Sequence, residues 1–396
     1  MRRYVVIGNG AAGLSAVRAI REVDRAGSIA LVGEEPYPSY SKVLLTHYIA
    51  GRLSREDVFL VDEGFERRYG VDVLLGTRAA TLDPEESRVD LSDGRSLRYD
   101  ALLIAAGAYP VLPLAFRRRV DGVIGLRTLD DARRLRNAAL SGERVVIVGG
   151  GLVGIKLGCA LREAGLSPEL LVSSSRILSQ VADHEAAMII QQHLSDNGLR
   201  LRFGVDVKEL AVGPRGLEGL VLTDGSFAPC RLVAVCKGVR PATELVKGLA
   251  EVRQGIAVNE GMQTSIPGVY AAGDVAETRD VSTGVRGVRA IWPHAIAEGR
   301  VAGINMSGGS AAFPGSLARN ALEILGLPFV SMGITSVPPD PEWRCVTRRS
   351  RSSYLKLVLR QDEIVGAVLL GSVRMAGRVQ AAIRKGDKQW RDRIPI

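Results

Sequence analysis

Two glycine clusters are the residues in this chain whose spacing most plainly could do chemistry. Residues 4–13 read YVVIGNGAAG and residues 145–156 read VVIVGGGLVGIK. In each, an apolar strand runs into glycines spaced G-x-G-x-x-G, and a helical pattern follows. The first glycine of such a turn lets the chain reverse, the second lets a pyrophosphate approach the backbone, and the third lets the helix pack on the strand. The phosphates then meet open N–H groups at the positive end of a helix. The device occurs twice, about 140 residues apart, so two bound dinucleotides are expected.

The first cluster comprises Gly8, Asn9, Gly10, Ala11, Ala12 and Gly13, with LSAVRAIREV as its helix. A second strand, IALVG, delivers Glu34 21 residues after Gly13, where a carboxylate accepts ribose hydroxyls. Glu35 follows it and joins the candidate contacts. The second cluster comprises Gly149, Gly150, Gly151, Leu152, Val153 and Gly154. Its second strand, PELLV, ends at Ser173, 19 residues after Gly154, so the expected acid is missing. Ser173, Ser174 and Ser175 can bond a ribose and Arg176 can meet a 2′-phosphate, which leaves NAD and NADP both open.

Other strands point to the first nucleotide. LRYDALLIAAGAYP (97–110) carries Ala105, Ala106 and Gly107, and SIPGVYAAGDVAE (265–277) brings Gly273 and Asp274 to a turn. An acid there can hold a hydroxylated linker such as the ribityl chain of FAD. IWPHAIAEGRVAGINMSG begins a helix near Pro293 whose N-terminus can face the negative pyrimidine edge of a flavin. The main-chain N–H of His294, beside Ala295, is the expected contact there, with Trp292 read as packing. Ala79 and Gly238 complete the candidate nucleotide contacts, and no metal ligands are expected.

The elements that must position these residues belong to a chain of 396 residues, enough for two to three domains. Apolar residues at 46% and charged residues at 24% are ordinary for a globular protein. No apolar run is long enough to cross a bilayer, and the N-terminus begins directly with a strand rather than a secretory signal. Cys159, Cys230, Cys236 and Cys345 are scattered without a C-x-x-C pair, which argues against a disulfide framework, a zinc site or a resident iron–sulfur cluster. A reduced, cytoplasmic protein is expected. The net charge is +9, and from residue 310 onward 14 Lys and Arg stand against 7 Asp and Glu. That local excess reads as a solvated face, a dock for an acidic protein partner or a nucleic-acid surface; no nucleic-acid motif supports the last.

The motifs YVVIGNGAAG, YDALLIAAGAYP, VVIVGGGLVG, VCKGVRPATEL and GVYAAGD, in this order across essentially the whole chain, resemble the FAD/NAD(P) pyridine-nucleotide oxidoreductases built like glutathione reductase but lacking its redox disulfide. The likeness extends to the flavoprotein module of NADH-dependent nitrite reductase, to rubredoxin and ferredoxin reductases, and to flavoprotein subunits that couple NAD to iron–sulfur partners. It implies an α/β fold of two Rossmann-like dinucleotide-binding domains, the second inserted in the first, plus a C-terminal α+β interface domain. The implied boundaries are residues 1–112 with 243–315 for FAD, 113–242 for NAD(P), and 316–396 for the interface domain. The interface domain is expected to contain the strands YLKLVLR and IVGAVLLG and a helix, RMAGRVQAAIRKG. The resemblance implies hydride exchange between nicotinamide and flavin, and it favours NAD(H).

Relatives that work through a thiol place cysteine soon after the first ribose acid. Here EEPYPSYSKVLLTHYIAG (34–51) has none, so electrons are expected to leave the flavin directly. In the same segment Lys42 falls where relatives carry a basic residue near FAD, and His47 near where ferredoxin-reductase relatives carry a lysine beside the flavin. Lys156 stands where many relatives place a glutamate close to the nicotinamide; a lysine reverses the local charge and can bond the carboxamide oxygen or favour reduced flavin. The resulting expectation is a FAD-dependent NAD(P)H:acceptor oxidoreductase serving an acidic iron–sulfur protein or subunit, in a hetero- or homo-oligomer. The alternatives are an NADH oxidase reacting with oxygen, and a flavoprotein whose basic surface docks nucleic acid.

Overall fold

A computed structural model describes residues 1–118, 120–337, 340–350, 353–390 and 394. The chain forms two compact units, Met1–Val43 with Arg55–Tyr109 and Arg240–Ser316, and Leu44–Ser54 with Pro110–Val239 and Leu317–Ile396.

The first unit is organised by a five-stranded parallel sheet ordered Val269–Ala271, Ala101–Ile104, Arg3–Ile7, Ser28–Gly33, Val71–Leu75. Its central strands read as continuous apolar runs because helices and loops cover both faces, and Val6 and Leu102 to Ile104 are wholly buried. The strand within GVYAAGD comes from far down the sequence and pairs Val269 to Leu102 and Ala271 to Ile104, so the sheet is completed only after the intervening segment. On one face, the helix Ala11–Val23 packs against the helix Trp292–Met306. The backbones approach so closely that a Cβ on Gly299 would lie 2.1 Å from the Ala12 carbonyl oxygen. Trp292 packs against the core, as its apolar surroundings in the sequence suggest.

The second unit repeats the plan with a five-stranded parallel sheet ordered Arg200–Phe203, Glu169–Val172, Val145–Val148, Leu232–Val235, Val123–Ile124. The α/β architecture anticipated from the sequence is therefore present twice. The C-terminal region adds a five-stranded antiparallel sheet ordered Arg319–Ile324, Leu327–Gly333, Glu363–Leu370, Tyr354–Arg360, Trp343–Arg349, with the helix Ala376–Lys385 against it. Only two of these five strands are anticipated from the sequence. RNALEI and WRCVTRR form the sheet's two edges, where exposure allows charged residues and breaks the apolar run. LPFVSMG is interrupted by Pro328, which weakens its strand signal.

A buried polar cluster joins this sheet to the helix His184–Asp196 within the unit. Asp183 caps that helix by accepting from the Ala186 N–H, and also accepts from the Tyr354 hydroxyl at 2.6 Å. The Lys356 ammonium lies 3.0 Å from the same carboxylate and donates to the Thr335 carbonyl. Burial and the Asp183 carboxylate together push the Tyr354 hydroxyl far above its usual range.

Candidate functional site

The two glycine clusters fold into the same local structure. The strand Arg3–Ile7 ends at Gly8, whose φ of +108° puts it in the region that favours glycine. A Cβ there would lie 2.1 Å from the Ala105 carbonyl oxygen, and one on Gly13 would lie 1.9 Å from the Gly8 carbonyl oxygen. In the second unit Gly149 has φ +127°, and its Cβ would lie 2.3 Å from the Cys236 carbonyl oxygen. A Cβ on Gly154 would lie 2.0 Å from the Gly149 carbonyl oxygen. The middle glycines differ from these: a Cβ on Gly10 or Gly151 would meet nothing within 4 Å. Each is the N-cap of its helix, Ala11–Val23 or Leu152–Glu163, and neither helix has a side-chain cap. Open N–H groups therefore sit beside open space, which is the cradle a pyrophosphate requires.

The equivalence extends to the neighbouring strand. The Ala105 N–H donates to the Ile7 carbonyl at 2.7 Å, and the Cys236 N–H donates to the Val148 carbonyl at 2.8 Å. Ala105, Ala106 and Gly107 thus correspond to Cys236, Lys237 and Gly238. Both glycines have positive φ, +73° and +97°.

Around the first cradle, Glu34 is exposed at the end of its strand. Glu35 accepts from the buried Tyr40 hydroxyl at 2.8 Å and lies 3.5 Å from the Lys42 ammonium, so these three side chains form one group. The Asn9 amide donates to the Tyr37 carbonyl at 3.0 Å, fixing the loop that follows Glu34. Ala79 is half-buried at the start of a strand and packs on the unit's core.

The Gly273–Asp274 turn contains a residue that the sequence reading missed. The Gly273 N–H donates to Glu298 Oε2 at 2.8 Å, and Glu298 is 3% exposed. Burial, with a smaller contribution from the Asp274 carboxylate, raises the Glu298 carboxyl from 4.5 to about 8, against the opposing effect of the Gly273 N–H. A signal was present: Glu298 is four residues after His294 and beside Gly299 in an otherwise small, apolar stretch. One expectation at this helix needs correction. The main-chain N–H of His294 is not open to a ligand; it donates to the Ile291 carbonyl at 3.0 Å, and the Ala295 N–H shares that acceptor at 3.1 Å. The first helical turn closes on Ile291, and Pro293 has no donor to offer. The buried His294 ring lies edge-on to Phe313.

In the second unit, His47 lies on the short helix Leu45–Ala50 and Lys156 on the fingerprint helix, and the two interact electrostatically. Burial, followed by the charges of Lys156 and Arg52, holds the His47 imidazole below its usual range. Burial alone holds the half-buried Lys156 ammonium below its usual range. Among the described residues Lys156 has neither an ion-pair nor a hydrogen-bond partner, whereas nearby Arg52 is paired to Glu163 at 2.6 Å.

At the end of the strand Glu169–Val172, Ser173 is exposed and takes the place of the ribose acid. The Ser174 hydroxyl donates to the Arg176 carbonyl at 2.7 Å, and the Arg176 guanidinium reaches the Ser179 carbonyl at 3.4 Å within its own loop. A second residue missed in the sequence, Lys237, donates to the Ser173 hydroxyl at 3.1 Å and to Asp206 at 2.8 Å. Among the described residues no group of three His, Cys, Asp or Glu could hold a metal ion, and no helix is long and apolar enough to cross a membrane.

Residues 2–299 match the family model of the pyridine nucleotide-disulphide oxidoreductases, and residues 319–387 match that of the rubredoxin NAD+ reductase C-terminal domain. The chain is 33% identical to the epsilon subunit of an NADH-dependent phenylglyoxylate dehydrogenase from Aromatoleum evansii, over 91% of this chain and 86% of the relative. It is 29% identical to an NADH oxidase from Methanocaldococcus jannaschii, over 96% and 90% of the two chains. A NAD-dependent persulfide reductase from A. fulgidus superposes with a TM-score of 0.90 at 26% identity, covering 97% of this chain and 77% of that one. The chain belongs to the pyridine nucleotide-disulphide oxidoreductase family. It is an NAD(P)H-dependent flavin oxidoreductase, with FAD and NAD(P)H as its nucleotides.

Two outcomes follow from the geometry. The folded state holds the Glu298 proton to about pH 8, while the unfolded chain releases it near 4.5. This contribution to stability is therefore complete below pH 4.5 and is lost as pH rises to about 8. The slope approaches about 1.4 kcal/mol per pH unit at most. Chemical denaturation at saturating FAD should show wild type losing stability relative to Glu298→Gln across that window and levelling above it. A gap that does not change with pH contradicts the assignment. Second, burial pushes the Cys159, Cys230 and Cys236 thiols up to about 12, while Cys345 is exposed. Iodoacetamide near neutral pH should label Cys345 alone by peptide mass, and flavin reduction by NAD(P)H should survive the labelling.

Proposed function

We propose that the chain takes reducing equivalents from NADH or NADPH and delivers them to an acidic iron–sulfur protein or partner subunit. The observation that carries this reading is the thiol inventory. Residues 34–51 hold no cysteine, and three of the four thiols in the chain are kept protonated by burial. The fourth, Cys345, is exposed and lies on the C-terminal sheet's edge strand rather than in residues 34–51. The C-terminal match to a rubredoxin NAD+ reductase domain supports an iron–sulfur acceptor.

In this reading bound FAD would supply the conversion of one hydride's electron pair into single electrons, and the protein's own groups position the reactants. Gly8, Gly10 and Gly13 with the helix N-terminus hold the flavin nucleotide's pyrophosphate, and Glu34 accepts from its ribose. Asp274 holds the ribityl hydroxyls, on a turn fixed by Glu298. Gly149, Gly151 and Gly154 do the same work for the nicotinamide dinucleotide. Lys156, which has no partner among the described residues, donates to the nicotinamide carboxamide oxygen, and His47 offers a polar ring held toward neutrality. The functional boundaries are residues 1–112 with 243–315 for FAD, 113–242 for NAD(P) and 316–396 for the interface, and the compartment is the cytoplasm.

The proposed dock is the exposed edge strand Trp343–Arg349. Arg348 is exposed there, while Arg349 is paired to Glu185 at 2.9 Å and Arg344 to Asp362. Arg351, two residues beyond that strand in the sequence, lies outside the described residues. A second reading, direct reaction with oxygen, is favoured by the NADH oxidase relative.

Stopped-flow spectroscopy separates these readings. Anaerobic flavin reduction by NADH should be unaffected by Arg348→Glu combined with Arg351→Glu. Electron transfer to an acidic ferredoxin or rubredoxin should slow about tenfold at low salt and lose most of its salt dependence. Turnover with oxygen alone as fast as with the carrier would favour the oxidase reading, and an unchanged carrier rate would remove the dock.

A further inference from the structure

The chain contains its own control for nucleotide recognition, because the same strand–turn–helix device is built twice with different residues around it. In the first copy the strand Ser28–Gly33 hands over to Glu34, and the equivalent turn on the neighbouring strand carries Ala106. In the second copy the strand Glu169–Val172 hands over to Ser173, and that turn carries Lys237. One place thus exchanges a carboxylate for a hydroxyl, and a methyl group for an ammonium. The pair of positions passes from one negative charge to one positive charge.

In the second copy the two residues are brought together. The Lys237 ammonium donates to the Ser173 hydroxyl at 3.1 Å and is oriented by Asp206 at 2.8 Å, with its side chain only 17% exposed. An acid at the end of this strand binds a bare ribose and repels a phosphate, so its absence removes that discrimination. A largely buried ammonium in its place adds attraction for the phosphate, and charge-assisted hydrogen bonds to phosphate are among the stronger ones available. Arg176, the cation on the expected loop, instead engages its own loop at the Ser179 carbonyl. The other charge at the site is Asp206, whose side chain is 39% exposed; it and Lys237 neutralise each other, and with Ser173 also bonded the ammonium keeps one of its three N–H donors for a phosphate.

We propose that Lys237, with Ser173, forms a subsite for the 2′-phosphate of an adenine nucleotide, so that the second cradle accepts NADPH alongside NADH. The proposal rests on the reading of Gly149–Gly154 as the nicotinamide-dinucleotide site and names a specificity-determining residue within it. It concerns binding of the adenosine end, and the reacting nicotinamide is not involved.

Calorimetric titration of the FAD-loaded protein with 2′,5′-ADP and with 5′-AMP tests it without turnover. The 2′-phosphorylated nucleotide should bind at least about tenfold more tightly, about 1.4 kcal/mol. Lys237→Ala should bring the ratio of the two dissociation constants to about one, and Lys237→Arg should keep the preference, since both cations donate to phosphate. Equal binding of the two nucleotides to wild type, or tighter binding of 5′-AMP, overturns the subsite alone. Binding of neither overturns the second cradle as a nucleotide site and the subsite with it. A preference that survives Lys237→Ala but is lost in Arg176→Ala would move recognition to the serine-rich loop and remove Lys237 from it.

Discussion

Everything this protein does depends on a backbone-to-backbone approach that leaves no room for a Cβ atom. At Gly8 and Gly13, and again at Gly149 and Gly154, a side chain would collide with a carbonyl oxygen at 2.3 Å or less. Those contacts bring the start of a helix over the end of a strand, where its first N–H groups, which no helix satisfies internally, also lack a side-chain cap. The middle glycine of each turn then leaves the adjoining space open. A binding site for a polyanion is thus a by-product of packing, made from main chain before any functional side chain is considered.

What differs between the two sites is carried by residues on neighbouring loops. The first is surrounded by Glu34, the Glu35–Tyr40–Lys42 group and the Asp274 turn, which rests on Glu298. The second copy carries Ser173, the Lys237–Asp206 pair and Lys156, which has no partner among the described residues. Where the first copy has the carboxylate of Glu34 and the methyl group of Ala106, the second has the hydroxyl of Ser173 and the ammonium of Lys237, paired with Asp206. The two copies share a main-chain frame and differ in the side chains around it.

This division explains what could be read in the sequence. The fingerprints were legible because steric exclusion leaves glycine as the residue that fits, and because strand and helix patterns flank them at fixed distance. The return of the GVYAAGD strand was inferred from resemblance and appears as its pairing with Ala101–Ile104. Glu298 and Lys237 were not legible, because their partners Gly273 and Ser173 are distant in the chain and only the tertiary fold joins them. The His294 N–H failed as an expected contact because local closure of the helix on Ile291 outweighs the macrodipole argument at that position. Three strands of the C-terminal sheet escaped for a related reason: edge exposure and Pro328 erase the periodicity that reveals a strand.

If one chain uses the same cradle for two different nucleotides, Gly10 and Gly151 give separate access to each. Gly10 and Gly151 have ordinary φ values of −80° and −83°, and a Cβ at either meets no protein atom within 4 Å. Valine at either position should therefore fold and obstruct only what binds there. FAD content and anaerobic flavin reduction by NADH, measured together on Gly10→Val and Gly151→Val, separate the two roles. Gly10→Val should be folded and colourless, and Gly151→Val should be yellow but poorly reduced by NADH. A Gly10→Val protein with full FAD, or a Gly151→Val protein reduced at the wild-type rate, would contradict this use of the two cradles.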